Sequence, residues 1–301
     1  MDARWIFWRT AMPTAFWANT KITNIKSMLL EALEEPFFQR ALSAAILASI
    51  ACGLIGPMVV VKKVSSISGG LSHAAFGGVG IAFFLGLNPS LGAFLFSILC
   101  ALLMARAYLH HHNSLDTLIS IIWSAGMALG ILLISLTPGY APDLSSYLFG
   151  SILFVPYDYV FVAATLDVVM IAILSSLFKR FQAIAFDEEF CQVVGVNKDA
   201  LFTVLLVMIA ICVVVLMKVV GAIMLIALLT TPAVIARQWS SNLRSMMIYA
   251  CGISSVCCVI GLFGSYWLSR EFELNAPTGP LIILTCTLFY LASLILRRRV
   301  T

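Results

Sequence analysis

The feature that most constrains this chain is a succession of apolar runs, each about twenty residues long, set apart by short polar or proline-bearing breaks. About twenty apolar residues in a helix cross a bilayer once. The runs fall at about 40–61, 66–87, 90–108, 117–136 and 153–178, then across 200–236, and again at about 246–268 and 281–296. The 200–236 stretch is long enough for two crossings and carries a break near Lys218 to Gly221. Hydrophobic residues make up 61% of the chain, charged ones only 11%, and mean hydropathy is +1.03. Soluble domains carry about 25% charge, and a water-soluble globule cannot hide so much apolar surface. The expectation is an all-α, polytopic transmembrane bundle of eight or nine spans. Residues 39–301 form one membrane domain behind an N-terminal tail, 1–38.

That tail is aromatic between Trp5 and Trp17 but is interrupted by Arg9 and Pro13. It matches neither a signal peptide nor a spanning helix. Two readings stay open: an interfacial segment, or a start-site artefact with Met28 as the natural start. Eight cysteines are present, mostly inside apolar runs and with no CxxC pair. They read as small hydrophobes of a helical core, and no disulfide framework follows.

Charge orients the bundle. With loops assigned alternately to opposite sides, one side holds eleven Lys and Arg residues, including Lys62, Lys63, Lys179, Arg180, Arg237, Arg244 and Arg297 to Arg299. The other side holds three: Arg40, Lys218 and Arg270. Lys and Arg collect on the cytoplasmic side. The C-terminus and the 181–199 and 237–245 loops are therefore expected inside, and the 137–152 and 269–280 loops outside. Nine spans place the tail outside, against its own four positive charges. The net charge of +4 does not suggest nucleic acid.

There is no GxxxxGK[ST] and no HExxH. An energy source based on ATP must sit on another subunit. In the second span Gly70, Ala74, Gly78 and Ala82 recur every four residues, a small-residue ridge that lets another backbone come close. His73 lies beside that ridge. A polar ring at this depth needs a partner; it is either a transient metal contact or a structural histidine bonded to a neighbouring helix. Asp167 sits mid-membrane, where a carboxylate costs about 2.5–3.5 kcal/mol on insertion scales. It is either a second path contact or a packing group. His110, His111 and His112 point in different directions on a helix and do not share one ion; Asp116 suits the positive end of the next helix. In the outer loop Tyr140, Asp143 and Tyr147 form an aromatic and acidic patch, suited to a delivered ion, a binding protein or an interfacial belt. Asp187, Glu188, Glu189 and Gly195 lie in the longest inner loop. This segment is either a short helix with Phe186, Phe190 and Val193 on one face, docking a cytoplasmic partner, or a solvated loop.

Six ordered runs carry a family resemblance: Leu71-Ser72-His73-Ala74-Ala75, Asp116-Thr117-Leu118-Ile119, Asp143 through Gly150, Phe186-Asp187-Glu188-Glu189, Lys218-Val219-Val220-Gly221-Ala222 with Pro232-Ala233, and Ala276-Pro277-Thr278-Gly279-Pro280. Over about residues 30–298 the chain resembles the permeases of zinc/manganese-type ABC importers. The resemblance implies a paired permease (a homodimer), two cytoplasmic ATPases and an extracytoplasmic metal-binding protein. It implies that the segment from Asp187 to Val196 contacts the ATPase. Many members carry an Asp four residues before the histidine of the Ser-His-Ala run; here that position is Gly69, and Asp167 is the candidate to take the role.

The functional expectation is thus the membrane-spanning permease of an ATP-driven importer of divalent zinc, manganese or iron, not itself an enzyme. No cofactor is expected to bind tightly, since a tight metal site on the path would not release its cargo. The rival is a proton-coupled metal transporter using Asp167 and His73 as a relay. A membrane enzyme lacks paired catalytic groups at suitable spacing.

Overall fold

The structure, a computed structural model, describes residues 30–110, 115–138, 148, 150, 152, 155–186, 191, 195, 197–272 and 276–300. Among the described residues there are nine helices long and apolar enough to cross a membrane. They are α1 (Pro36–Val61), α2 (Ser65–Phe84), α3 (Pro89–His110), α4 (Leu115–Leu136), α5 (Tyr157–Phe186), α6 (Lys198–Val220), α7 (Ala222–Trp239), α8 (Leu243–Phe272) and α9 (Thr278–Val300).

Helix ends follow local chemistry. Pro36 opens α1, where its missing N–H costs nothing. Asn197 caps α6 by accepting from the Ala200 N–H at 3.0 Å. Asn88 and Asn242 do the same for α3 and α8, accepting from Ser90 N and Ser245 N. Gly221 sets the joint between α6 and α7: its φ of 86° is open to glycine and strained for other residues. The 200–236 stretch is therefore two complete helices. Gly150, also at positive φ, sits so close to this joint that a Cβ would stand 2.4 Å from the Val220 carbonyl.

The fifth helix runs past the expected stop at Lys179-Arg180 and ends at Phe186. Its periodicity explains the difference. Lys179 and Arg180 lie on the exposed face, while Phe181 and Ile184 stay buried.

Helix α6 is central, packing on α1, α2, α3, α5 and α7. On one side α2 is gripped by α3 and α4; on the other α1 is gripped by α7 and α8, with α9 behind them. Helices α4 and α9 are mostly exposed along the outside. The expected ridge on α2 is split between two partners. Gly78 and Ala82 meet Gly92 of α3, and Gly70 and Ala74 meet Ile119 and Gly126 of α4. Gly80 adds a backbone contact with α4: a Cβ there would lie 2.5 Å from the Gly130 carbonyl oxygen.

Contacts between helix ends fit the alternating course. At one end Arg40 lies over the Tyr157 ring at 4.9 Å, Arg270 pairs with Glu31, and Lys218 reaches Ser90 and Tyr159. At the other, Ser66 donates to Asp116 at 2.9 Å and Trp239 to Ser293 at 3.0 Å. The three cations of the sparse side thus gather at one end.

Gly80→Val forces two backbones apart, and overpacking of this kind costs about 1–3 kcal/mol. It is expected to lower the unfolding temperature in detergent. Gly252→Val, at a site with nothing within 4 Å, is the matched control and should leave that temperature unchanged.

Candidate functional site

His73 lies eight residues into α2 and Trp123 eight into α4, both about 12 Å along the axis from the same end of the bundle. Their rings stack with centroids 4.5 Å apart and an interplanar angle of 2°. The Trp123 indole N–H donates to Met127 Sδ at 3.2 Å. His73 is half-buried, and its Nδ1 is fully enclosed with no hydrogen-bond partner. A nitrogen lone pair or N–H left so in an apolar interior is costly. The neighbouring helix thus holds His73 by its face and leaves that ring nitrogen unused. Gly69, at the position of the family's acid, has only Ile226 nearby, at 3.6 Å from a notional Cβ.

Asp167 lies about 15 Å along α5 from its first residue and is 5% exposed, with both carboxylate oxygens unpartnered. Its electrostatic neighbours are thiols, Cys52 of α1 and Cys251 of α8. Cys52 in turn hydrogen-bonds Cys212 of α6, and Cys258 lies 3.2 Å from Ser49 Oγ. The structure does not bring Asp167 to His73. α2 packs chiefly on α4 and α3, whereas α5 packs on α1 and α6. Among the described residues no three His, Cys, Asp or Glu side chains converge to hold a metal ion.

Lys218 was a motif residue with no assigned partner. Its Nζ donates to Ser90 Oγ of α3 and to the Tyr159 hydroxyl of α5 at 3.0 Å, so one cation ties three helix ends together. The opposite end carries a cleft of about 350 Å³ between α1, α5 and the α7–α8 turn, with Arg237 in its wall. Neither feature is legible from spacing, because both join residues far apart in the chain. The equal depth of His73 and Trp123 was the one signal that could have paired them.

Other expected site residues lie outside the described residues: Tyr140, Asp143 and Tyr147 of the outer loop, and Asp187, Glu188, Glu189, Phe190, Val193 and Val196 of the inner segment. So do His111 and His112. Phe186 is the last residue of α5, and Gly195 is exposed at φ 74° with open space around it.

These features define a multi-pass membrane protein with a half-buried imidazole about 12 Å inside one end of the bundle. Residues 34–297 match the ABC 3 transport family, and the chain belongs to that family. It is 42% identical over 286 residues to an uncharacterized membrane protein of Synechocystis, covering 95% of this chain and 99% of the relative. It is 31% identical to the manganese import system permease protein ScaB of Streptococcus parasanguinis, covering 85% of this chain and 89% of ScaB. Among solved structures it superimposes on PsaBC from Streptococcus pneumoniae in complex with Fab. There the TM-score is 0.77 at 30% identity, covering 89% of this chain and 95% of that one.

A buried carboxylate with no partner is destabilising. Asp167→Asn removes the charge at nearly constant volume and is expected to raise the unfolding temperature in detergent. A fall would mean that the carboxylate is held by a group absent from its described surroundings.

Proposed function

We propose that this chain is the membrane-spanning permease subunit of an ATP-driven importer of divalent first-row metal ions, with manganese the foremost candidate. The observation that carries the reading is its likeness, along nearly its whole length, to a manganese import permease. The half-buried His73 with its unused ring nitrogen supports the same reading. The basic end faces the cytoplasm, in keeping with the positive-inside rule, and the C-terminus lies there.

Two copies of the chain form the pore, each engaging one cytoplasmic ATPase through the segment from Phe186 to Val196. An extracytoplasmic metal-binding protein delivers the ion at the outer loop around Tyr140, Asp143 and Tyr147. ATP hydrolysis on the separate subunits shifts the bundle between outward and inward access. His73 gives the ion one nitrogen contact. A single nitrogen holds a manganese ion weakly, since manganese prefers oxygen, and weak binding suits passage. Asp167 is a second candidate contact, reached separately, since it stands against other helices. That separation leaves a proton relay through His73 and Asp167 without support.

His73→Ala is expected to cut metal uptake at least tenfold while the chain still assembles in the membrane. Uptake unchanged across manganese, zinc and iron would remove His73 from the path. The docking role has its own test. Gly195→Trp strains a positive-φ position, and Glu188→Arg reverses a charge of the same segment. The double variant is expected to lose copurification with the ATPase, and normal copurification would overturn the assignment.

A further inference from the structure

At the basic end, the cleft between α1, α5 and the α7–α8 turn is built in two halves. Arg237, Ser240, Ser241 and Asn242 line one half; Val61 and Met246 belong to the apolar wall. Among the described residues, none that lines it is acidic, and Arg237 has no ion-pair or hydrogen-bond partner. The Asn242 carbonyl is already used to cap α8, which leaves its amide N–H groups free to donate. The cleft therefore offers a guanidinium, two hydroxyls and an amide to an anion that none of the described residues lining it supplies.

Depth says which anion. Trp239 is exposed at the end of α7 and anchors its indole N–H on Ser293. Exposed tryptophans at helix ends mark the head-group level of a bilayer. Ser240 follows directly, so the polar half of the cleft sits at that level, and Met246, about one helical turn into α8, lies on the side of the hydrocarbon. Exposed Lys63, Arg106, Lys179, Arg180 and Arg244 share this end. The anionic cytoplasmic leaflet is drawn to such a surface.

We infer that this cleft is a binding site for an anionic phospholipid, its phosphate on Arg237, Ser240, Ser241 and Asn242 and its acyl chain along Val61 and Met246. The guanidinium grips two phosphate oxygens at once, which a lysine would not do. The occupied cleft joins the ends of α1 and α5 to the α7–α8 turn, next to the segment assigned to ATPase docking. The inference uses only the orientation proposed above. Its test reads lipid binding in detergent and does not depend on transport.

The full chain, delipidated in detergent, would be titrated with phosphatidylglycerol while unfolding temperature and lipid retention in native mass spectrometry are followed. Phosphatidylcholine and inorganic phosphate are the parallel arms. Phosphatidylglycerol is expected to stabilise the native chain, and Arg237→Gln to weaken that binding about fivefold, the worth of one basic contact at a membrane surface. Arg244→Gln, on the same turn but outside the cleft, should keep the native response. Should Arg237→Gln fold poorly, Ser241→Asp places a repelling charge in the cleft and is expected to give the same loss. Equal responses to both lipids, or equal losses for Arg237→Gln and Arg244→Gln, would reduce the effect to surface charge and overturn the inference. Full stabilisation by inorganic phosphate alone would overturn the lipid assignment. Loss of ATPase copurification in Arg237→Gln with an unchanged lipid response would make the cleft a subunit contact instead.

Discussion

Lipid tails are as apolar as leucine, so helices inside a bilayer gain little by hiding apolar side chains from it. What holds them is closeness. The approach of α2 to α4 at Gly80 and Gly130, and to α3 at Gly78 and Gly92, brings peptide backbones into direct contact. Every other placement in that half of the bundle depends on it. It fixes the rotation of α2, and with it the direction in which His73 leaves the helix. It also presses the Trp123 ring of α4 flat against the imidazole. A bulkier α2 would move the histidine and its partner together.

The two polar groups buried in the membrane differ in kind. The imidazole has one face covered and one enclosed nitrogen unused, and it is the half-buried residue in an otherwise buried stretch of α2. The Asp167 carboxyl is shut in near thiols of two other helices, α1 and α8, with neither oxygen bonded. The first is the group to which the proposed function gives the passing ion. The second has the character of a stored cost, borne by packing around it. Their separation follows from topology, since α5 joins the bundle on the α1 and α6 side.

Much of this was readable in the sequence, because period and punctuation report what each helix must do alone. The apolar runs located the spans, and the four-residue spacing of Gly70 to Ala82 announced close packing. What failed was reading across helices. Lys179-Arg180 looked like a stop because two charges end a hydropathy window, yet they project to one exposed side of a helix that keeps burying Phe181 and Ile184. The ridge looked like one interface and is two. Lys218 stood out at the break between two spans, but its partners lie 128 and 59 residues away. The candidate site was half legible. His73 and Asp167 stood out as polar residues in apolar company, but their neighbours did not.

The thiols have a practical meaning of their own. Seven of the eight cysteines are buried and the remaining one, Cys251, is only partly open, in the body of α8. Water-borne maleimides therefore meet almost no native background. A single cysteine introduced at Arg244, which is exposed at the basic end, would carry a fluorophore or spin label without first stripping the chain of its own sulfur. The wild-type sequence is already a near-silent host for distance measurements during turnover.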